Sequence, residues 1–192
     1  MQALARLGDG LARIAIVAGR VGSWACVPLV AFIIVDVISR RFFGTGSTML
    51  QELEWHAHAL LFLLCLGYAY IRNAHVRIDL VREHLSERGR TILELAGCVL
   101  VLLPFCAVMI WYGMDIAWRS WQQGEGSPNP GGLPHWWVIK SAVPLGMLLL
   151  MLAGAAIAIR KFLLLFAPEA LSRVVAERER VETTGATDER RG

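Results

Sequence analysis

The sequence predicts an all-α integral membrane protein. It has four transmembrane helices, both termini cytoplasmic, and a short amphipathic interfacial helix between spans two and three. Three observations carry this. Of the 192 residues, 56% are hydrophobic and only 18% charged, against about 25% charged in an ordinary soluble domain. The apolar residues gather into long uncharged blocks instead of alternating with a helical or strand period, which is how membrane spans read. The basic residues also sort by loop. With the N-terminus inside, fifteen lie on the cytoplasmic side and four outside, namely Arg40, Arg41, Arg119 and Lys140, as the positive-inside rule requires. A net charge of +3 gives no argument for a nucleic-acid partner.

Residues 1–20 place Arg6, Asp9, Arg13 and Arg20 among apolar positions. They predict either an amphipathic helix at the membrane surface or a cytoplasmic extension of the first span. Span one, 21–38, contains Pro28 and ends in VDVISRRFF without a small-residue cleavage site, so it is expected to be retained. Asp36 near its end is four residues from Arg40, the spacing of a local ion pair. A Gly/Ser/Thr turn leads into span two, 54–71. Its uncharged run of seventeen residues from Trp55 to Ile71 is just long enough to approach a ~30 Å hydrocarbon core.

After span two, Ile78, Val81 and Leu85 recur with helical spacing and predict the interfacial helix, stopped by Gly89. Span three, 95–114, is uncharged for twenty residues and contains Pro104. Trp111, Tyr112, Trp118 and Trp121 crowd its far end, as at a membrane–water boundary. The loop GEGSPNPGGLP, 124–134, has too much proline and glycine for a helix. Span four, 141–159, follows Lys140, which can snorkel from that end. Residues 1–168 are thus expected to form a single four-helix membrane domain, and 169–192 a charged, partly disordered cytoplasmic tail.

The polar residues give little support for catalysis. No Ser/His/Asp grouping, phosphate loop or dinucleotide fingerprint is present, and no cofactor is expected. The four cysteines lie in apolar runs without metal-ligand spacing. Glu52 and His56, like Glu54 and His58, are four apart, but the two pairs point ~200° apart and cannot converge on one metal. Because opposite sides of span two both carry a carboxylate, at least one should meet protein, either another span or a partner. Asp36, Glu54, Asp115 and Lys140 are all at span ends, so the spans lack the buried charges of a self-sufficient carrier.

LQELEW (50–55), the span after it, and HVRID (75–79) together resemble the small membrane subunit, DctQ type, of tripartite ATP-independent periplasmic (TRAP) transporters. GEGSPNPGGLP followed by Lys140 and Pro144 resembles the same family's third loop and fourth span. The chain departs at Leu152 and Ala153, where relatives often carry Leu-Gln. The resemblance implies a bacterial inner-membrane scaffold for a larger transport subunit. That subunit would take up an organic acid or related solute on a sodium gradient, and a periplasmic solute-binding protein would deliver the solute. It further implies that Glu52, Glu54, His75, Arg77, Asp79 and Lys140 contact partner subunits or membrane lipid. The loop residues Glu125, Ser127, Pro130, Gly132, Leu133 and Pro134 would face the periplasm. Two other readings compete: a haem- or quinone-binding membrane anchor of a respiratory enzyme, and a self-contained small channel or exporter.

Overall fold

The computed structural model describes residues 1–72 and 86–169. His75, Arg77, Asp79, residues 78–85 of the predicted interfacial helix, and the tail from 170 lie outside the described residues. Among those described, every regular element is helical. α1 spans Gln2–Ser23 and α2 Cys26–Ile38, extended by a π-helical turn, Ser39–Phe43. α3 spans Thr48–Ile71 and α4 Glu87–Gly97. A second π turn, Cys98–Leu102, leads into α5, Leu103–Gln122, and α6 is Trp137–Phe166.

Three helical runs are long and apolar enough to cross a membrane: Gln2–Phe43, Glu87–Gln122 and Trp137–Phe166. α3 has the length, at 24 residues, but Glu54, His56, His58 and two tyrosines dilute its apolar run, and it is not among the three.

α6 is the axis of the bundle, touching α1, α3, α4 and α5. Neighbouring pairs give the directions. Leu63 and Gly67 of α3 meet Gly146 and Leu149 of α6, so these helices run parallel. α1 runs opposite to both, with Gly19 against Tyr68, Gly22 against Leu64 and Gly8 against Ile159. α5 also opposes α6, since Gly113 meets Pro144 while Leu102 meets Gly154.

Small residues make this closeness possible. α1 buries Ala5, Gly8, Ala15, Gly19 and Gly22, a face with almost no side-chain bulk. In lipid there is no hydrophobic drive between apolar helices, so van der Waals contact between closely approaching backbones takes over. Gly67 is the extreme case, because a Cβ there would lie 2.7 Å from the Leu149 carbonyl oxygen.

The helix boundaries differ from the sequence expectation in three places. α1 is not a surface helix: it continues into α2 as one helical run, Gln2–Phe43, and is packed into the bundle along its length against α3 and α6. The break falls at Trp24–Ala25, because Pro28 has no N–H to give the Trp24 carbonyl, which accepts from Val27 instead at 3.1 Å. Gly89 does not stop a helix. It sits in the first turn of α4, where its N–H is capped by Ser86 Oγ at 3.2 Å. Pro104 has a related effect on the third run: Leu103 N–H reaches back to Cys98 to form the π turn that precedes the proline.

Candidate functional site

The densest polar constellation lies where α3 begins, between that helix and the loop from α5 to α6. Ser47 caps α3 in an extended conformation, its hydroxyl accepting from Leu50 N–H at 3.4 Å. This start turns Glu52 inward, leaving it 1% exposed. One carboxylate oxygen accepts from Ser127 Oγ and from Asn129 Nδ2 at 3.3 Å. The other accepts from Leu133 N–H at 2.7 Å. A buried carboxylate normally demands a cation or several donors. Here the loop supplies the donors.

The loop is shaped around that carboxylate. Ser127 N–H donates to Leu133 O at 2.9 Å, and Trp136 N–H to Glu125 O at 2.9 Å, so its two limbs are tied twice across. Ser127 Oγ also accepts from Asn129 N–H at 3.0 Å, a serine turn that aims both side chains at Glu52. Gly132 passes so close that a Cβ would lie 2.7 Å from the Glu52 oxygen and 2.3 Å from Ser127 Oγ. Only glycine fits there.

A second tie sits one layer out. Lys140, at the start of α6, forms an ion pair with Glu125 of the loop. Both groups are partly exposed, so this pair is a weaker fastening than the enclosed one. His56 Nδ1 donates to the Glu52 carbonyl at 2.6 Å, and its ring meets Trp136 edge-on with centroids 6.1 Å apart. The Glu52–His56 spacing therefore acts through the backbone, not through the two side chains.

The electrostatics follow. Hydrogen bonds from Ser127, then from Leu133 N–H, hold the Glu52 carboxyl below its ordinary value against the opposing effect of burial. Asn129 and the nearby Trp136 indole add smaller contributions in the same direction. Glu125 is likewise held low, chiefly by Lys140.

Of the residues singled out from sequence, the structure brings Glu52, Ser127, Gly132 and Leu133 into one cradle and Glu125 and Lys140 into the adjoining pair. The carboxylate that protein donors bind is Glu52, and they come from the loop, not from another span. Glu54 is on another side of α3, with one oxygen buried and unbonded. Pro130 and Pro134 are exposed on the loop. Sequence reasoning gave Asn129 and Trp136 no role and singled out His56 only by its spacing from Glu52; the loop GEGSPNPGGLP, which contains Asn129, was the legible signal. Asp36 and Arg40 form the expected pair at 2.7 Å. At the opposite end of the bundle Glu94 of α4 pairs with Lys161 of α6 at 2.5 Å. Among the described residues, no group of three or more His, Cys, Asp and Glu is placed to hold a metal.

The chain matches no curated protein. A sequence model of the family described as "Tripartite ATP-independent periplasmic transporters, DctQ component" matches residues 29–164, from within α2 almost to the end of α6.

Proposed function

The chain belongs to the DctQ component family of tripartite ATP-independent periplasmic transporters, and on that premise we propose that it scaffolds the larger transport subunit. In this reading the large subunit carries an organic acid or related solute inward on a sodium gradient, and a periplasmic binding protein delivers the solute. The family match is the observation that carries the proposal. The polar chemistry supports it: Glu52, Glu125, Asp36 and Glu94 are each committed to ties within the chain. Such ties make a frame.

We place the chain in the inner membrane with four spans and both termini cytoplasmic. α3 is the fourth crossing. At 24 residues it is ~36 Å long, and it runs opposite to α1 and α5 and parallel to α6, so that the four in chain order alternate as successive crossings must. Glu52 and the loop then lie at the periplasmic end, with Glu54 and Lys140 there as contacts to the large subunit or lipid headgroups. His75, Arg77 and Asp79 have the same role at the cytoplasmic end.

Two experiments test this. Deleting the chain in cells that keep the large subunit and binding protein should abolish uptake; undiminished uptake would remove the scaffold role. For orientation, Pro130→Cys in a Cys26→Ala background should react with an impermeant thiol reagent added to whole cells. Reaction only after lysis would reverse the topology.

A further inference from the structure

We propose that Arg13 and Arg20 of α1, with Arg72 at the end of α3, bind the headgroup of an anionic phospholipid at the cytoplasmic border of the bilayer. This rests on the inner-membrane placement with the N-terminus cytoplasmic, and adds to it a site and the headgroup charge that the site selects.

The cluster follows from the packing of α1 on α3. Seven residues make nearly two whole turns of an α-helix, so Arg13 and Arg20 stand on one line ~10.5 Å apart. Both are exposed, because the opposite side of α1, with Ala15, Gly19 and Gly22, is the one packed into the bundle. Gly19 backs onto Tyr68, which sets Arg20 about level with Tyr68. Arg72 is one turn farther along α3, and the two helices are antiparallel, so it lies between the levels of Arg13 and Arg20. Its side chain is held there: Arg72 Nε–H donates to Tyr68 Oη at 3.3 Å, and the guanidinium is 5.7 Å from the centre of the Tyr68 ring. Side chains on a helix lean towards its N-terminus, which for α1 is the cytoplasmic end. Arg20 therefore snorkels outward, towards the level of Arg72.

These cations gather without an anion. Arg40, Arg119, Lys140 and Lys161 each have a carboxylate of this chain as partner. Among the described residues, no carboxylate pairs with Arg13, Arg20 or Arg72. Asp9, one turn beyond Arg13, is the only acidic residue of α1. The strip beside the arginines indicates what supplies the missing charge. Ile14, Val17 and Val21 are exposed along the neighbouring line of the same helix. A phospholipid matches both strips at once, with acyl chain along the aliphatic side chains and phosphate on the guanidinium groups, which bind phosphate oxygens in pairs. A zwitterionic headgroup brings its own cation next to the phosphate. Three uncompensated arginines favour a headgroup that does not.

The test offers the purified full chain an equal mixture of phosphatidylglycerol and phosphatidylcholine with the same acyl chains. Native mass spectrometry reads which lipid is retained. Phosphatidylglycerol is expected to be favoured roughly ten-fold. The preference should vanish in Arg13→Gln/Arg20→Gln and weaken in Arg72→Gln. It should persist in Arg119→Gln, at the opposite end of the bundle. Equal retention of the two lipids by the parent chain would overturn the site, as would an undiminished preference in the double variant or an equal loss in Arg119→Gln. Displacement of the lipid by an equal concentration of inorganic phosphate would reduce it to a bare anion site and overturn it too. Loss of the lipid when the large subunit is bound would assign the cluster to that protein instead. Because the chain is first measured alone, failure here leaves the scaffold reading standing, and undiminished uptake without this chain would refute that reading without changing the lipid result.

Discussion

Glu52 shows how one buried charge can organise a segment that has no regular structure. The loop cannot form a helix or a ladder, so its donors converge on a carboxylate fixed by α3. Replacing Glu52 with Gln keeps the volume but points an NH2 group at donors. Loop amides, Leu133 first, should then exchange hydrogen faster while membrane insertion is unchanged. Glu54→Gln should leave the loop as protected as in the parent chain. Protection that is equal in all three would show that the cradle does not hold the loop. The pH dependence has a definite sign. A carboxyl whose folded pKa is lowered contributes stability above its unfolded value and loses it as pH falls through the folded one. With an ordinary value of 4.5 and a downward shift at Glu52, the loop should stay closed through the neutral range and begin to open only below about pH 4.5. Trp136 fluorescence against pH would read this. Opening between pH 6 and 7 would point to a histidine instead.

Of this cradle, the sequence made legible that one face of span two had to meet protein, and that residues 124–134 formed a built turn. It did not show that the two met each other. Glu52 and Leu133 are 81 apart in sequence, and a pairing at that range leaves no local pattern. Gly132 looked like ordinary turn glycine; its constraint, a passing carboxylate, exists only in three dimensions.

At the level of the helices, close packing depends on small residues, and two substitutions of the same kind separate packing from propensity. Gly67→Ala puts a Cβ 2.7 Å from the Leu149 carbonyl oxygen, and backbone cannot swing aside. It should destabilise the bundle by ~1–3 kcal/mol, seen as a lower melting temperature in detergent. At Gly10 of α1 a Cβ meets nothing within 4 Å. Gly10→Ala should stabilise by ~0.5–1 kcal/mol through helix propensity alone. Melting temperatures that move together would mean that the α3–α6 contact is not close. Proline acts at this scale too. Hydropathy located the first and third spans, but not the helical pieces they divide into. Pro28 divides α1 from α2 and Pro104 follows a π turn, because each removes one backbone donor and the chain must reroute the carbonyl it leaves behind. α1 was the hardest element to read. Its charges suggest a surface helix, yet the stripe of Ala and Gly between them is what packs.

For the whole molecule, ties at both ends of the helical bundle make a frame, which is what the proposed scaffold role requires. Glu125–Lys140 and the cradle close one end, and Glu94–Lys161 fastens α4 to α6 at the other. A frame of this kind should be inert alone and required in company. The direct measurement is sodium-driven uptake into proteoliposomes supplied with the binding protein and its solute. Three preparations are compared: this chain alone, the large subunit alone, and both. Uptake is expected only when both are present and should collapse when the sodium gradient is dissipated. Undiminished uptake by the large subunit alone, or any uptake by this chain alone, would contradict the scaffold account.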